Sequence, residues 1–347
     1  MRKITKLFLA IAASALLVLP TYAGELAVTG GAKVTYTTSG AVGSEGKSIG
    51  VANELDFSAS GELDNGYTWS YQVQLDGATT ANDDTKLTIG TDMGTIGFYI
   101  SEGGMKNNLA HGVGAMGVGM DYSSTSTFET GYNVNGYANV QYHTPAGMLP
   151  FDAIVKLGYV PDMNDSDMIS GEGANAAIAT QATGRALEQI NFSAVPVEGL
   201  TVKGDAARTA SEQGGTNTEQ GVSANLGAQY TSGAFSVGYT EGGYQPGVAS
   251  GEVTYYEGKY YGIQYDVSEA LSVSYNVDKS EKNVRTAVAV GSTAGTKTVT
   301  EMEQKSYMLA YTTGGVTIGL TQYKVSDADY TSGKEETNNI ASLAISF

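Results

Sequence analysis

From residue 26 onward, apolar and polar side chains alternate with a period of two. In 67–75 the odd positions are Tyr67, Trp69, Tyr71, Val73 and Leu75, and the even ones are Thr68, Ser70, Gln72 and Gln74. Successive side chains of a strand point to opposite faces, so this is a strand with one apolar and one polar face. The preceding strand, 53–63, joins it through Asp64-Asn65-Gly66, residues that accept a positive φ and build a tight hairpin turn. The same signature pairs 86–91 with 95–101 through Asp92-Met93-Gly94, and 137–144 with 151–159 through Thr144-Pro145-Ala146-Gly147. It pairs 187–194 with 200–207, 219–230 with 234–240, 255–265 with 271–278, and 303–312 with 316–324. With lone strands at 26–37 and 338–347, the pattern predicts sixteen strands.

The turns inside these hairpins are short. The links between hairpins are longer: 38–50, 77–85, 102–136, 160–186, 208–218, 241–254, 279–300 and 325–336. Alternation alone does not separate a soluble sandwich from a membrane barrel, because both have one apolar and one polar face. The strand number, the two unequal rims and the tyrosines at strand ends (Tyr36, Tyr67, Tyr142, Tyr159, Tyr230, Tyr239, Tyr265, Tyr311) favour the barrel. A backbone in lipid must pair all its N–H and C=O groups internally, so the sixteen strands are expected to close. Parity then turns Val34, Phe57, Phe98, Leu157, Ile190, Val237, Ile263, Leu320 and Leu343 toward lipid. It turns Lys33, Glu54, Asp56, Gln72, Lys86, Tyr99, Asn139, Gln141, His143, Lys156, Asn191, Lys203, Asp205, Asn225 and Asn276 toward the lumen.

Residues 1–23 break the alternation. Arg2, Lys3 and Lys6 precede an apolar stretch, Leu7 to Leu19, and small residues Thr21 and Ala23 flank a cut after position 23. This is the layout of a cleaved secretory leader, leaving 24–347 as a single barrel domain. Composition agrees with short strands and turns, since Gly numbers 46 and Tyr 23. Lys and Arg total 19 against 36 Asp and Glu. Such an acidic chain repels a phosphate backbone, which excludes nucleic acid as a partner. The absence of Cys excludes disulfides, thiol nucleophiles and thiolate metal sites.

Catalytic signals are weak. His111 and His143 carry no nucleophile or carboxylate motif around them, so no enzyme is expected. Gly112–Gly117 spells G-x-G-x-x-G without the βαβ context that a dinucleotide site needs. Asp162–Asp167 is similar to the start of a Ca2+ loop, yet Asp167 and Gly173 stand where Gly and Glu are required. No resident cofactor is expected. A plain acidic loop and a loose surface Ca2+ site that bridges lipopolysaccharide both remain open.

The hairpin Lys86-Leu-Thr-Ile-Gly-Thr-Asp-Met-Gly-Thr-Ile-Gly-Phe98, the long link after the fifth strand and the aromatic end of the last strand, Phe347, resemble the Gram-negative general porins, especially the alphaproteobacterial ones. The resemblance implies a 16-stranded antiparallel transmembrane barrel in the outer membrane, with short periplasmic turns and long extracellular loops. It implies an aqueous pore for passive diffusion of small hydrophilic solutes and ions, and a homotrimer surrounded by lipid and lipopolysaccharide. It implies that the link after the fifth strand folds inward as a constriction, with acidic groups facing a basic wall. By position the loop side offers Glu102, Asp121 and Glu129, and the wall side Lys33, Lys86 and Lys156. It further implies that barrel-assembly machinery reads the final strand through Phe347, Ile345 and Leu343.

Without the three basic residues of the leader the chain carries 16 Lys and Arg against 36 Asp and Glu, a charge of −20. With lumen carboxylates at Glu54, Asp56 and Asp205, that predicts mild cation selectivity. A substrate-selective channel and a surface adhesin without a pore are the alternative readings.

Overall fold

The structure, a computed structural model, describes residues 25–41, 44–76, 84–106, 128, 131–161, 163, 186–210, 220–247, 253–285 and 297–346. They form sixteen strands: β1 (Glu25–Ala41), β2 (Ser44–Glu62), β3 (Thr68–Asp76), β4 (Asp84–Thr91), β5 (Gly94–Ile100), β6 (Asn139–His143), β7 (Ile154–Val160), β8 (Leu187–Val197), β9 (Leu200–Thr209), β10 (Val222–Ser232), β11 (Phe235–Gln245), β12 (Val253–Asp266), β13 (Leu271–Arg285), β14 (Lys297–Thr313), β15 (Val316–Ser326) and β16 (Glu336–Ser346). Each pairs with its chain neighbours, and β1 pairs antiparallel with β16 from Gly31 opposite Ser346 to Ala41 opposite Glu336. The sheet is a closed barrel, so it has no free edge.

The two faces of the wall are reversed relative to a water-soluble globule. On β10, Ser223 and Asn225 are buried while Val222 and Leu226 are exposed; on β13, Ser274, Asn276, Asp278 and Ser280 are buried, with Val277 and Asn283 beside them. Outside, Val28, Val34, Phe98, Leu157, Phe192, Val237, Ile263, Ile318 and Leu320 are all exposed. The strand-end tyrosines Tyr36, Tyr67, Tyr159, Tyr230, Tyr239, Tyr265 and Tyr311 share that outer face. Polar groups thus turn inward and a continuous apolar surface outward, an arrangement unfavourable in water and favourable in hydrocarbon.

Where the strands rise past the apolar zone, both faces become polar and the alternation fades. The expected link 38–50 is for this reason strand: β1 runs to Ala41 and β2 restarts at Ser44, paired residue for residue across a Ser/Thr/Gly-rich stretch. Likewise β13 extends to Arg285 and β14 begins at Lys297, covering much of the expected link 279–300. Lys279 Nζ on β13 reaches across to Glu303 on β14 at 2.7 Å, and Lys305, on the same strand as Glu303, holds that carboxylate at 2.6 Å. The other correction lies between β6 and β7. Phe151 and Asp152, expected to open the strand 151–159, lie instead in a short 3-10 turn, Pro150–Asp152, and have positive φ. Pro150 fixes its own φ and lacks an N–H, so the ladder cannot start there. On β8 the register shifts between Ala194 and Val197, placing Pro196 at a bulge where its missing donor is tolerated.

The expected leader, 1–23, and Phe347 lie outside the described residues. Leu343 and Ile345 face outward and stand in register between β15 and β1, opposite Ile318 and Val316 on one side and Val34 and Ala32 on the other.

Candidate functional site

The lumen face of the barrel is a wall of amides and hydroxyls, and the link between β5 and β6 is held against it. Both roots of this link are gripped. Asn139 Nδ2 on β6 donates to the carbonyls of Glu102 (3.1 Å) and Tyr137 (3.0 Å), and Gln141 Nε2 donates to Gly103 O at 2.5 Å. On β8, Asn191 Nδ2 donates to Met105 O (2.8 Å) and Gln189 Oε1 accepts the buried Val134 N–H (3.0 Å). On β10, Ser223 Oγ accepts Tyr132 N–H (3.1 Å). The two roots are tied together by Asn133 Oδ1, which accepts Met105 N–H at 2.9 Å. An irregular segment inside a barrel has no ladder partners, and these side chains supply them.

Apolar contacts complete the seat. Met105, Val134, Val160, Leu187 and Ala207 form one buried cluster, joined by Tyr132, Tyr137 and Met163. Gly158 on β7 makes this approach feasible, because a Cβ there would lie 2.6 Å from Met105 Sδ and 3.3 Å from a Val134 methyl. Gly131 has φ +98°, and a Cβ would lie 2.3 Å from Ser223 Cβ, so only glycine fits at that root.

Further along the same link, Phe128 is buried against the next stretch of wall. It packs with Tyr260 of β12, Met302 of β14, Val325 of β15 and Ala328 of the link 327–335. Its ring stands edge-on to Tyr260, with centroids 6.2 Å apart at 73°. In the closed strand order β7 and β15 are diametrically opposed. The described residues of the link therefore lie along the lumen wall from β6 to β10 at the roots round to β12, β14 and β15 at Phe128.

Of the charges named from sequence, Glu102 lies at the root just after β5, where its Oε2 accepts Gly103 N–H at 3.1 Å. Asp121 and Glu129 fall outside the described residues, as do the Ca2+-loop-like segment apart from Met163, the 112–117 glycine motif and the Glu54 side chain. Lys33, Lys86 and Lys156 have lumen parity on β1, β4 and β7 and are spread around the barrel rather than gathered. The charge that acts on Lys156 is Lys203, on the lumen face of β9. His143 on β6 stands directly opposite Lys156, bonded to Gln141 Oε1 at 2.8 Å and stacked on the Tyr99 ring. The cations that the structure brings together are therefore Lys156 and Lys203, with the His143 imidazole beside them. Two of the lumen carboxylates named from sequence are engaged by amides: Asp56 accepts Gln72 Nε2 (2.7 Å), and Asp205 accepts Asn225 Nδ2 with both oxygens (3.2 Å). Among the described residues no group of three His, Asp or Glu is placed to hold a metal ion.

Sequence reasoning missed the docking residues. Val160, Leu187, Met302 and Val325 are apolar but have lumen parity, and each is fully buried. An apolar residue interrupting the polar face of a strand is the signal that could have found them, since it marks where another segment covers the wall.

No family model matches the chain, and no curated protein does. Solved structures do match in shape. In-vitro folded OmpT, an outer membrane protein of Vibrio cholerae, aligns with TM-score 0.65 at 13% identity over 95% of this chain and 99% of that one. Another structure of that protein is described as a trimer form. The anion-selective porin from Comamonas acidovorans aligns with TM-score 0.61 at 12% identity, covering 93% of this chain and 100% of its own. A mutant of Rh. blastica porin gives TM-score 0.55 at 15% identity, with 93% and 100% covered. At these identities the likeness is one of fold: the chain has the architecture of outer-membrane porin barrels.

Proposed function

We propose that the barrel lies in the outer membrane of a Gram-negative bacterium and conducts small hydrophilic solutes and ions by passive diffusion, its bore narrowed by the link between β5 and β6. The observation that carries this reading is the reversed burial, with amides and charges inside the closed sheet and aliphatic and aromatic side chains outside. Sixteen strands make a ring too wide for side chains alone to fill, so water occupies what the inward link leaves open. The porin shape of the structural neighbours supports the reading.

Within it, the eyelet sets Glu102 with Asp121 and Glu129 on the link against Lys33, Lys86, Lys156 and Lys203 on the wall, a transverse field that orients dipolar solutes. Residues 1–23 act as the export leader, and 343–347 is the segment read during assembly. The barrel works as a homotrimer among lipid and lipopolysaccharide. Because Asp56 and Asp205 are engaged by neighbouring amides, cation preference rests on the acidic groups of the loops.

Purified full chain in planar bilayers is expected to give discrete ohmic conductance steps, and liposomes containing it to swell in small sugars. Liposomes that stay impermeable to small sugars would falsify the channel. A reversal potential of anion sign under a KCl gradient would remove the cation preference while leaving the pore.

A further inference from the structure

Four tyrosines line one stretch of lumen wall near the loop rim. Tyr244 and Tyr256 stand directly opposite each other on β11 and β12, and Tyr256 stands opposite Lys282 on β13. The Tyr244 and Tyr256 rings are stacked, 5.7 Å apart at 16°. Tyr132, from the inward link, meets Tyr244 edge-on at 5.2 Å, and Tyr330, from the link 327–335, meets Tyr256 at 5.5 Å. The end rings are fixed by their hydroxyls. Tyr132 OH accepts Gly247 N–H at 3.1 Å, and Tyr330 OH shares a hydrogen bond with Ser280 Oγ at 2.7 Å. All four rings remain part-exposed in the bore.

Lys282 is the second observation. Its Nζ is 5.9 Å from the centroids of both Tyr256 and Tyr330, and it makes no ion pair with a described residue. Most other lumen charges described above have a polar partner. An ammonium placed over two rings without a carboxylate attracts an anion that can lie along the rings.

We propose that this aromatic row is a binding site at the outer entrance for acidic sugars, hexuronates and their short oligomers. A pyranose offers an apolar C–H face to stack on a tyrosine ring, hydroxyls at its rim for phenol and backbone partners, and here a carboxylate for Lys282. Rings spaced 5.2 to 5.7 Å apart provide successive platforms for a chain of such units. The proposal rests on the channel reading and adds a solute class to it.

The test uses the full chain in planar bilayers at low salt, about 0.1 M KCl, where screening extends over roughly 10 Å. Trigalacturonate is titrated up to about 50 mM, far above a dissociation constant of about 1 mM. Saturable block is expected, at concentrations at least about fivefold below those needed for maltotriose as the neutral trisaccharide. Lys282→Met erases the difference between the two sugars. Tyr256→Ala raises both half-blocking concentrations about tenfold, whereas Tyr256→Phe, which keeps the ring, stays within about twofold. Heat-modifiable migration on gels shows that each variant is folded. Conductance steps that trigalacturonate leaves unchanged, or a Lys282→Met channel that still favours the acidic sugar, overturn the site but keep the channel. A folded protein with no conductance at all overturns the channel reading, and the site with it.

Discussion

On β6 and β8 the inward link is gripped by side-chain amides, whereas on β12, β14 and β15 it is met by apolar side chains. At the first wall Asn139, Gln141, Gln189 and Asn191 each bond to a particular backbone group. At the second, Phe128 sits among Tyr260, Met302, Val325 and Ala328. Hydrogen bonds are directional and fix register; apolar contact scales with buried area and tolerates sliding. The roots thus carry directional bonds in addition to an apolar seat, whereas the far end rests on burial, and the second anchor is the one expected to release first.

Breaking the far anchor should have the largest effect. Phe128→Ala empties a buried aromatic site, a change that costs about 3–5 kcal/mol in protein cores. Larger, noisier single-channel conductance is expected, with heat stability of the barrel on gels unchanged. Loss of barrel stability instead would show that the link is part of the wall's own packing.

Overfilling the near anchor comes next. Gly158→Leu drives side-chain atoms into Met105 and Val134, and overpacking of this kind costs about 1–3 kcal/mol. Increased protease cleavage within 101–138 is expected, and wild-type resistance would show that the roots are held by their hydrogen bonds alone. Gln189→Leu tests those bonds, leaving the buried Val134 N–H without its acceptor at about 1–3 kcal/mol. If the two anchors are independent, the effects of Phe128→Ala and Gln189→Leu on conductance noise should add. A marked departure from additivity would make them one cooperative unit.

The smallest effect concerns the link 327–335, on which Phe128 partly rests. Lys334 is held above the usual lysine range by the Asp329 carboxylate, 2.5 Å away, and by Glu336 at 3.1 Å. A raised value means that this support is complete below the ordinary lysine pKa of about 10.4 and fades as pH climbs through the shifted one. Cleavage of the link by an alkaline protease should be flat from neutral pH to about 10 and then rise. Lys334→Met should show no such rise.

Much of the architecture was legible because a strand repeats every second residue, and a wall between two solvents writes that repeat plainly. The hairpin that turns at Asp64-Asn65-Gly66 and the shared outward face of Leu343 and Ile345 were readable in this way. The upper parts of β1, β2, β13 and β14 were not, since a strand with water on both sides has no reason to alternate. The turn at Pro150 was missed because Phe151 adopts a positive φ, a conformation its residue type does not announce. The site was less legible still. Lys156 and Lys203 share a lumen face that parity reveals, but their proximity depends on how β7, β8 and β9 stack. Tyr132 and Tyr330 reach their aromatic neighbours only because two links fold inward, and no local pattern encodes that.

The pairing of β1 with β16 carries a consequence for how the protein is made. Lys33 lies across from Ala344, so the contacts that complete the ring have nearly the largest sequence separation the chain allows. Such contacts form late and slowly. Until they form, the first strand offers an open hydrogen-bonding margin to any other chain. The margins of β1 and β16 therefore stay unpaired until both strands are in place, and the circle closes in a single final act.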